Sequence, residues 1–370
     1  MQPALFISNK KYIDPQSLEG GVKLCTLEYM DLLSYGFTLI SFPVETSTSL
    51  KYRIKKKLRI DVYEDFNIEQ YINELNYIIR EKQIKVVFLN MSNTVIFSRK
   101  IKELFPDMKV VLCSHGNESG DYLHDLVLHE SHKRLQRILK QYTLGSMLTT
   151  ESENRKYIDL ILTVSEVEVM IEKWLGAIEV LLITRIIRDD SINNIPKAGR
   201  VGFISDLSHP PNRYGIEQLC AALSKLNTIG IEIRLVGLPA FAGLEISKQF
   251  SFITYLGYLD DLELKSEVAT WAFALNPVFY YSRGVSTKLG KALGWGIPVI
   301  TSKKGLRGYQ WTNGEMIVCD TPEEFAQLLI KYALDLKAAS YFKQQIKLIR
   351  ESTPTHQQLI EKVTKIINVN

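Results

Sequence analysis

The chain has only four cysteines in 370 residues, Cys25, Cys113, Cys220 and Cys319, with no Cys-x-x-Cys pair and no metal-ligand spacing among them. That excludes a disulfide-stapled secreted scaffold and a zinc module. Cys25 and Cys113 stand in apolar patterns, so buried thiols in a reducing cytoplasm are expected. The six histidines are scattered too thinly for a zinc site, and no metal is expected. No apolar run approaches the roughly 20 residues that cross a bilayer. No basic segment followed by an apolar core opens the chain, so neither a signal peptide nor a membrane span is expected. Charge of one sign is also missing. With 45 Lys and Arg against 41 Asp and Glu, the net charge of +4 does not support a nucleic-acid partner. Low-complexity stretches are absent as well.

What is present fits a folded enzyme of two lobes. Hydrophobic residues make up 46% and charged residues 23%, enough for two sizeable cores, and at about 150 residues per domain the length suggests two domains. Short apolar runs alternate with longer helical patterns, the signature of parallel sheets with crossover helices. Ala4–Ile7, Phe37–Ser41, Lys85–Leu89, Lys109–Cys113, Ile158–Leu162 and Val180–Ile183 form one series of expected strands. The polar, Pro-containing stretch from Arg188 to Gly199 reads as a linker. A second series follows at Arg200–Ile204, Ile231–Val236, Phe252–Tyr255, Trp271–Leu275, Pro298–Thr301 and Met316–Val318. Helical patterns at Pro322–Arg350 and Thr355–Ile367 end the chain, separated by Ser352-Thr-Pro354. The expected organisation is an α/β first lobe at 1–187, a linker at 188–199, a second lobe at 200–351, and a terminal segment, 352–370, that packs back on the first lobe.

The densest chemistry lies in Tyr281-Ser-Arg-Gly-Val-Ser-Thr-Lys-Leu-Gly-Lys-Ala-Leu-Gly-Trp-Gly-Ile-Pro-Val-Ile300. A loop there enters a short helix, and Gly296-Ile-Pro298 stops it before a buried strand. Backbone N–H groups at a helix start, with Lys288 and Lys291 on its first turns, favour a diphosphate. Arg283, Gly284, Val285, Ser286 and Thr287 form the approach to that helix. Arg213, after Pro210-Pro-Asn212, is a further cation at a helix start.

Four segments carry a family resemblance in order: Gly20-Gly21, Tyr157–Glu166, Val201–Asn212 and the 281–300 block, whose STKLGKALGWGIPVITS is its strongest part. The chain resembles the retaining GT-B glycosyltransferases of family 4, the glycosyl transferases group 1. The resemblance implies two Rossmann-like lobes with an interlobe cleft. It also implies transfer of a sugar from a nucleoside diphosphate sugar to a hydroxyl of a glycan or lipid-linked glycan, without a metal or other cofactor, in polysaccharide or glycoconjugate biosynthesis.

By position, Lys288 and Arg213 are the expected cations for the departing diphosphate, and His115, in Ser114–Gly120, corresponds to the family's donor-sugar histidine. Gly20 and Gly21 match its N-terminal glycine loop. Asn90 and Glu118 are expected sugar or acceptor contacts at strand ends. The glutamate that binds the ribose in the family is Lys291 here, and the partner acid, with seven residues between the two, is Arg283. Lys291 therefore stands open between a ligand contact and a solvent-facing position.

Ser165 is expected to cap a helix, Tyr280 and Tyr281 to pack or to stack on a base, and His124, His129 and His132 to lie on a solvated helix face. The run Lys51-Tyr-Arg-Ile-Lys-Lys-Lys-Leu-Arg-Ile60 interleaves six cations with apolar residues. It reads either as a solvated face or as a surface for anionic lipid at the inner face of a membrane. The Lys291 exchange keeps two alternatives open, a noncatalytic glycosyltransferase-like subunit and a GT-B sugar-nucleotide epimerase.

Overall fold

The computed structural model describes residues 1–17, 20–58, 63, 66–128, 134–281 and 283–369. Arg59 and Ile60 of the basic run, with His129 and His132, lie outside the described residues. Two compact units emerge: residues 1–184 with 355–370, and residues 185–354.

In the first unit the order is β1 (Gln2–Asn9), α1 (Lys10–Ile13), α2 (Gly21–Ser34), β2 (Phe37–Val44), α3 (Leu50–Leu58), α4 (Ile72–Glu81), β3 (Val86–Asn90), α5 (Ile96–Leu104) and β4 (Lys109–Cys113). The series continues with α6 (Glu118–Leu128), α7 (Arg134–Arg155), β5 (Leu160–Thr163), α8 (Glu166–Trp174) and β6 (Val180–Leu182). The strands are parallel in the order β2-β1-β3-β4-β5-β6. Because crossover helices cover both faces, the central strands are mainly apolar, and β3 is buried from end to end, its last residue being the polar Asn90.

The second unit contains β7 (Arg200–Ile204), α9 (Pro210–Leu223), β8 (Glu232–Val236), α10 (Ala240–Gln249), β9 (Ile253–Gly257), α11 (Asp261–Val268), β10 (Phe273–Asn276), α12 (Thr287–Trp295), β11 (Val299–Ser302), β12 (Ile317–Cys319), α13 (Pro322–Ala333) and α14 (Leu336–Glu351). Its parallel sheet runs β12-β11-β10-β7-β8-β9. Each sheet reverses its winding once, between β1 and β3 in the first and between β7 and β10 in the second. Ligands of doubly wound sheets bind beyond the strand ends at such reversals.

All twelve expected strands are present, most shifted by one or two residues at an end. The single pattern at 322–350 is broken into α13 and α14, because Asp335 caps a new helix through the Lys337 and Ala338 N–H groups. The stretch expected as a linker lies along the second unit. Its backbone bonds Gly294 and Trp295 through Asp190 and Ile192, and Ala269 and Thr270 through Ile195 and Lys197. Arg350 fastens it further, donating to the Asp189 carboxylate at 2.6 Å. The final helix, α15 (His356–Val369), belongs to the first unit, where His356 stacks on Tyr35 and bonds Asp31 at 2.9 Å. Gly36 leaves the room that Ile360 fills, since a Cβ there would stand 2.7 Å from its side chain.

None of the four cysteines forms a disulfide; Cys113, Cys220 and Cys319 are buried and Cys25 is half-buried, less enclosed than expected. Among the described residues, no helix is long and apolar enough to cross a membrane.

Candidate functional site

In the second unit the sheet reversal is organised by Asn276, the last residue of β10, which is 1% exposed. Its amide nitrogen donates to Thr301 Oγ1 at 2.9 Å and to the Gly305 carbonyl at 3.2 Å, tying β10 to the end of β11. Its Oδ1 accepts from Ser286 Oγ at 2.9 Å, and that hydroxyl in turn accepts the Leu289 N–H at 3.3 Å as the N-cap of α12. One buried amide thus fixes the direction in which the α12 N-terminus points. Ser302 Oγ accepts from the Val278 and Gly305 N–H groups and fixes the loop after β10. Gly215 brings α9 against that loop, where a Cβ would stand 1.9 Å from the Pro277 carbonyl.

Lys288 occupies the second position of α12 and is partly buried. Its Nζ donates to Asn212 Oδ1 at 2.5 Å and lies 4.8 Å from the centroid of the Phe203 ring. Burial, and after it the positive charge of Arg307, pushes its pKa down to about 7. An ammonium held by an amide and a ring face, at the positive end of a helix, lacks an anionic partner among the described residues. That is the electrostatic condition of a site for a bound phosphate.

The approach loop is clamped by Arg307, which donates to the Gly284 carbonyl at 2.7 Å and to the Lys304 carbonyl at 2.7 Å. Gly284 has φ +68°, a conformation that favours glycine. Arg283 contributes its carbonyl to the same clamp at 3.5 Å, Val285 packs against the core beneath α12, and Thr287 is the first helical residue. Tyr309 OH donates to the Ser286 carbonyl at 2.6 Å. The Lys291 ammonium has no hydrogen-bond or ion-pair partner among the described residues.

Arg213, expected as a second cation for the diphosphate, is engaged by two carboxylates in this structure. Its guanidinium is taken by Glu217 and Glu245, each at 2.7 Å, so it acts as a bridge between α9 and α10 and its charge is already offset. Tyr280 is buried edge-on against Tyr214, which makes it a packing residue.

In the first unit the reversal between β1 and β3 carries a second polar cluster. Asn90, 1% exposed, donates through Nδ2 to Ser8 Oγ at 2.9 Å and to Thr26 Oγ1 at 3.0 Å. Its Oδ1 therefore accepts from His115 Nε2 at 2.8 Å, which puts a proton on that ring nitrogen. His115 also stacks on Tyr29 at 5.8 Å, and the Tyr29 hydroxyl donates to the carbonyls of Ser114 and Leu162 at 2.8 and 3.0 Å. Burial pushes the Tyr29 pKa well up, keeping it a donor. Asn90, expected as a direct sugar or acceptor contact, is buried, with its amide engaged by Ser8, Thr26 and His115.

Glu118 opens α6, whose start is held by the buried Glu151 of α7. Ser119 Oγ donates to Glu151 at 2.6 Å and Asn117 Nδ2 at 3.2 Å. Gly20 is the N-cap of α2 in an extended conformation that any residue adopts, and a Cβ there would meet open space. Lys23 holds the preceding loop through the Pro15 and Ser17 carbonyls at 3.2 and 2.7 Å. Ser165 is the N-cap residue of α8, but its hydroxyl makes no cap hydrogen bond. Among the described residues, no group of three His, Cys, Asp or Glu side chains converges on a metal position.

Sequence reasoning did not single out Asn212, Asn276, Ser302 or Arg307. Asn212 carries a weak signal in the Pro-Pro that precedes it, and Arg307 in its place between Gly305 and Gly308 after a buried strand.

Residues 198–335, the core of the second unit, match the family model of the glycosyl transferases group 1. No curated protein matches the chain. Among solved structures, sucrose-phosphate synthase from Thermosynechococcus elongatus aligns with TM-score 0.69 at 12% identity, covering 100% of this chain and 99% of that one. Anabaena HepE, solved with UDP and glucose, aligns with TM-score 0.60 at 12% identity over 100% of both chains. A UDP-forming trehalose-phosphate synthase from Burkholderia xenovorans gives TM-score 0.60 at 10% identity, covering 100% and 99%. The fold is that of the GT-B glycosyltransferases, with two Rossmann-like units.

Proposed function

We propose that this chain, a GT-B protein whose second unit carries a glycosyl transferases group 1 domain, moves a sugar from a nucleoside diphosphate sugar to a hydroxyl of a glycan or lipid-linked glycan. The observation that carries the reading is the Lys288 ammonium, held by neutral groups at the start of α12 where the second sheet reverses. In the transfer, the bond between the anomeric carbon and the diphosphate oxygen breaks, the acceptor oxygen bonds that carbon and gives up its proton to the departing diphosphate, and negative charge develops on the diphosphate as it leaves. Lys288 and the α12 N–H groups stabilise that charge, the contribution that dominates such reactions. No metal or other cofactor is part of the proposal.

His115, oriented by Asn90 and Tyr29, serves the donor sugar at the first unit's strand ends. Retention of anomeric configuration is proposed from the resemblance, and no side chain is assigned as a nucleophile. The exposed apolar Leu50 and Ile54, set among the cations of α3, support a cytoplasmic enzyme that meets its acceptor at an anionic membrane surface.

Proton NMR of purified protein with a panel of nucleotide sugars and glycan acceptors tests the reading. The expected result is donor loss that depends on acceptor, with matching formation of a glycoside. Conversion of donor to an isomer without acceptor would make the chain an epimerase. Absence of nucleotide binding would leave a noncatalytic subunit, the alternative raised by Lys291 at the ribose position.

A further inference from the structure

Lys288 and Arg213 begin from the same situation, a cation in the first turns of a helix, and the structure treats them in opposite ways. Arg213 meets two carboxylates. Lys288 meets an amide oxygen and an aromatic face. The difference traces to Asn212. This residue sits in the first turn of α9, entered through Pro210 and Pro211, and its backbone N–H donates to the His209 carbonyl at 3.0 Å. Its Nδ2 donates to the Asp206 carbonyl at 2.9 Å, so the orientation of the amide is set and Oδ1 is the end that faces Lys288.

We propose that Asn212 is a positioning residue, which holds the Lys288 ammonium at the diphosphate position while leaving its charge uncompensated. The inference rests on the donor-site reading given above. An ammonium has three N–H donors; the amide oxygen takes one and leaves two for phosphate oxygens. A carboxylate in the same place would give a stronger bond to the lysine and would compete directly with the phosphate. The other residues around Nζ do not supply that competition. Phe203 from β7 contributes its ring, and Arg307 from the loop after β11 adds positive charge. The one acid on α9, Glu217, and the one on α10, Glu245, are engaged by Arg213.

The near-isosteric Asn212→Asp substitution separates positioning from a packing role. Calorimetric titration of the full chain with UDP, ADP and GDP is made at several pH values for wild type, Asn212→Asp and Asn212→Ala. Wild type is expected to bind at least one diphosphate, with affinity falling as pH rises above 7. Asn212→Asp is expected to weaken that binding by roughly 10- to 100-fold, the scale of a charge-assisted bond, and to move the pH-dependent fall to higher pH. Asn212→Ala, which frees the lysine without offsetting its charge, is expected to lose less affinity than the aspartate and to keep the wild-type pH profile.

If wild type binds and Asn212→Asp binds equally well with the same pH profile, the positioning inference is overturned and the donor site stands. If wild type binds none of the three diphosphates, the donor-site reading falls and takes the inference with it. Should the aspartate variant not fold, equal affinity in wild type and Asn212→Ala overturns the inference by itself.

Discussion

Replacing Lys288 with methionine should stabilise the empty protein and disable it for its ligand. Methionine fills the space beside Phe203 and carries no charge to desolvate. The magnitude follows from the lysine pKa, pushed from 10.5 down to about 7 by burial and by Arg307. The folded-state value lies below the unfolded one, so between these pH values the unfolded chain binds more protons and stability rises with pH. At and below pH 7 the buried amine costs roughly 4–5 kcal/mol relative to an unperturbed lysine, at about 1.4 kcal/mol per pKa unit.

That cost should shrink by about 2 kcal/mol between pH 7 and pH 9 and vanish above pH 10.5. Thermal melting of both proteins across pH 6–9, without ligand, reads the effect. Lys288→Met should melt higher than wild type at pH 6–7, with the gap narrowing steadily as pH rises. In the presence of a nucleoside diphosphate the order should reverse, because ligand stabilises only a protein that binds it. A variant that melts lower than wild type at pH 7, or a gap that does not change with pH, would mean that the lysine is charged and well paired in the empty protein, against the depressed pKa assigned to it.

Arg213→Ala should leave diphosphate affinity unchanged in calorimetry and cost at most about 1 kcal/mol in urea unfolding, because its two ion pairs are half-exposed. Asn90→Leu removes the group that fixes the His115 tautomer and leaves the Ser8 and Thr26 hydroxyls without their amide partner. It should lower kcat for transfer by about tenfold or more with little change in nucleoside diphosphate affinity, as measured by steady-state kinetics beside calorimetry.

The two sheets were legible because buried parallel strands favour short apolar runs, and runs such as Val110–Cys113 and Val201–Ile204 recur between longer helical patterns. The place of Lys288 at a helix start was legible because a glycine turns the loop just before it. Its setting was not, because Asn212, Asn276 and Ser302 act through bonds to residues 24 to 76 positions away. An asparagine in a strand-end loop looks the same in sequence whether it aligns a lysine or meets water. Arg213 shows the converse. Its position at a helix start was correctly seen, but Glu245, which engages it, comes from α10, 32 residues on. The break between α13 and α14 was missed for a local reason: apolar periodicity continues across Asp335, and only its side-chain bonds show that a new helix begins there.

The most direct test of the account is a calorimetric titration of the purified chain with UDP, ADP and GDP at pH 7, run beside Lys288→Met. Saturable one-to-one binding of at least one diphosphate by the wild-type chain is expected, with a loss of roughly 10- to 100-fold in the variant. Equal affinity in the two proteins, or no binding by wild type, would contradict it.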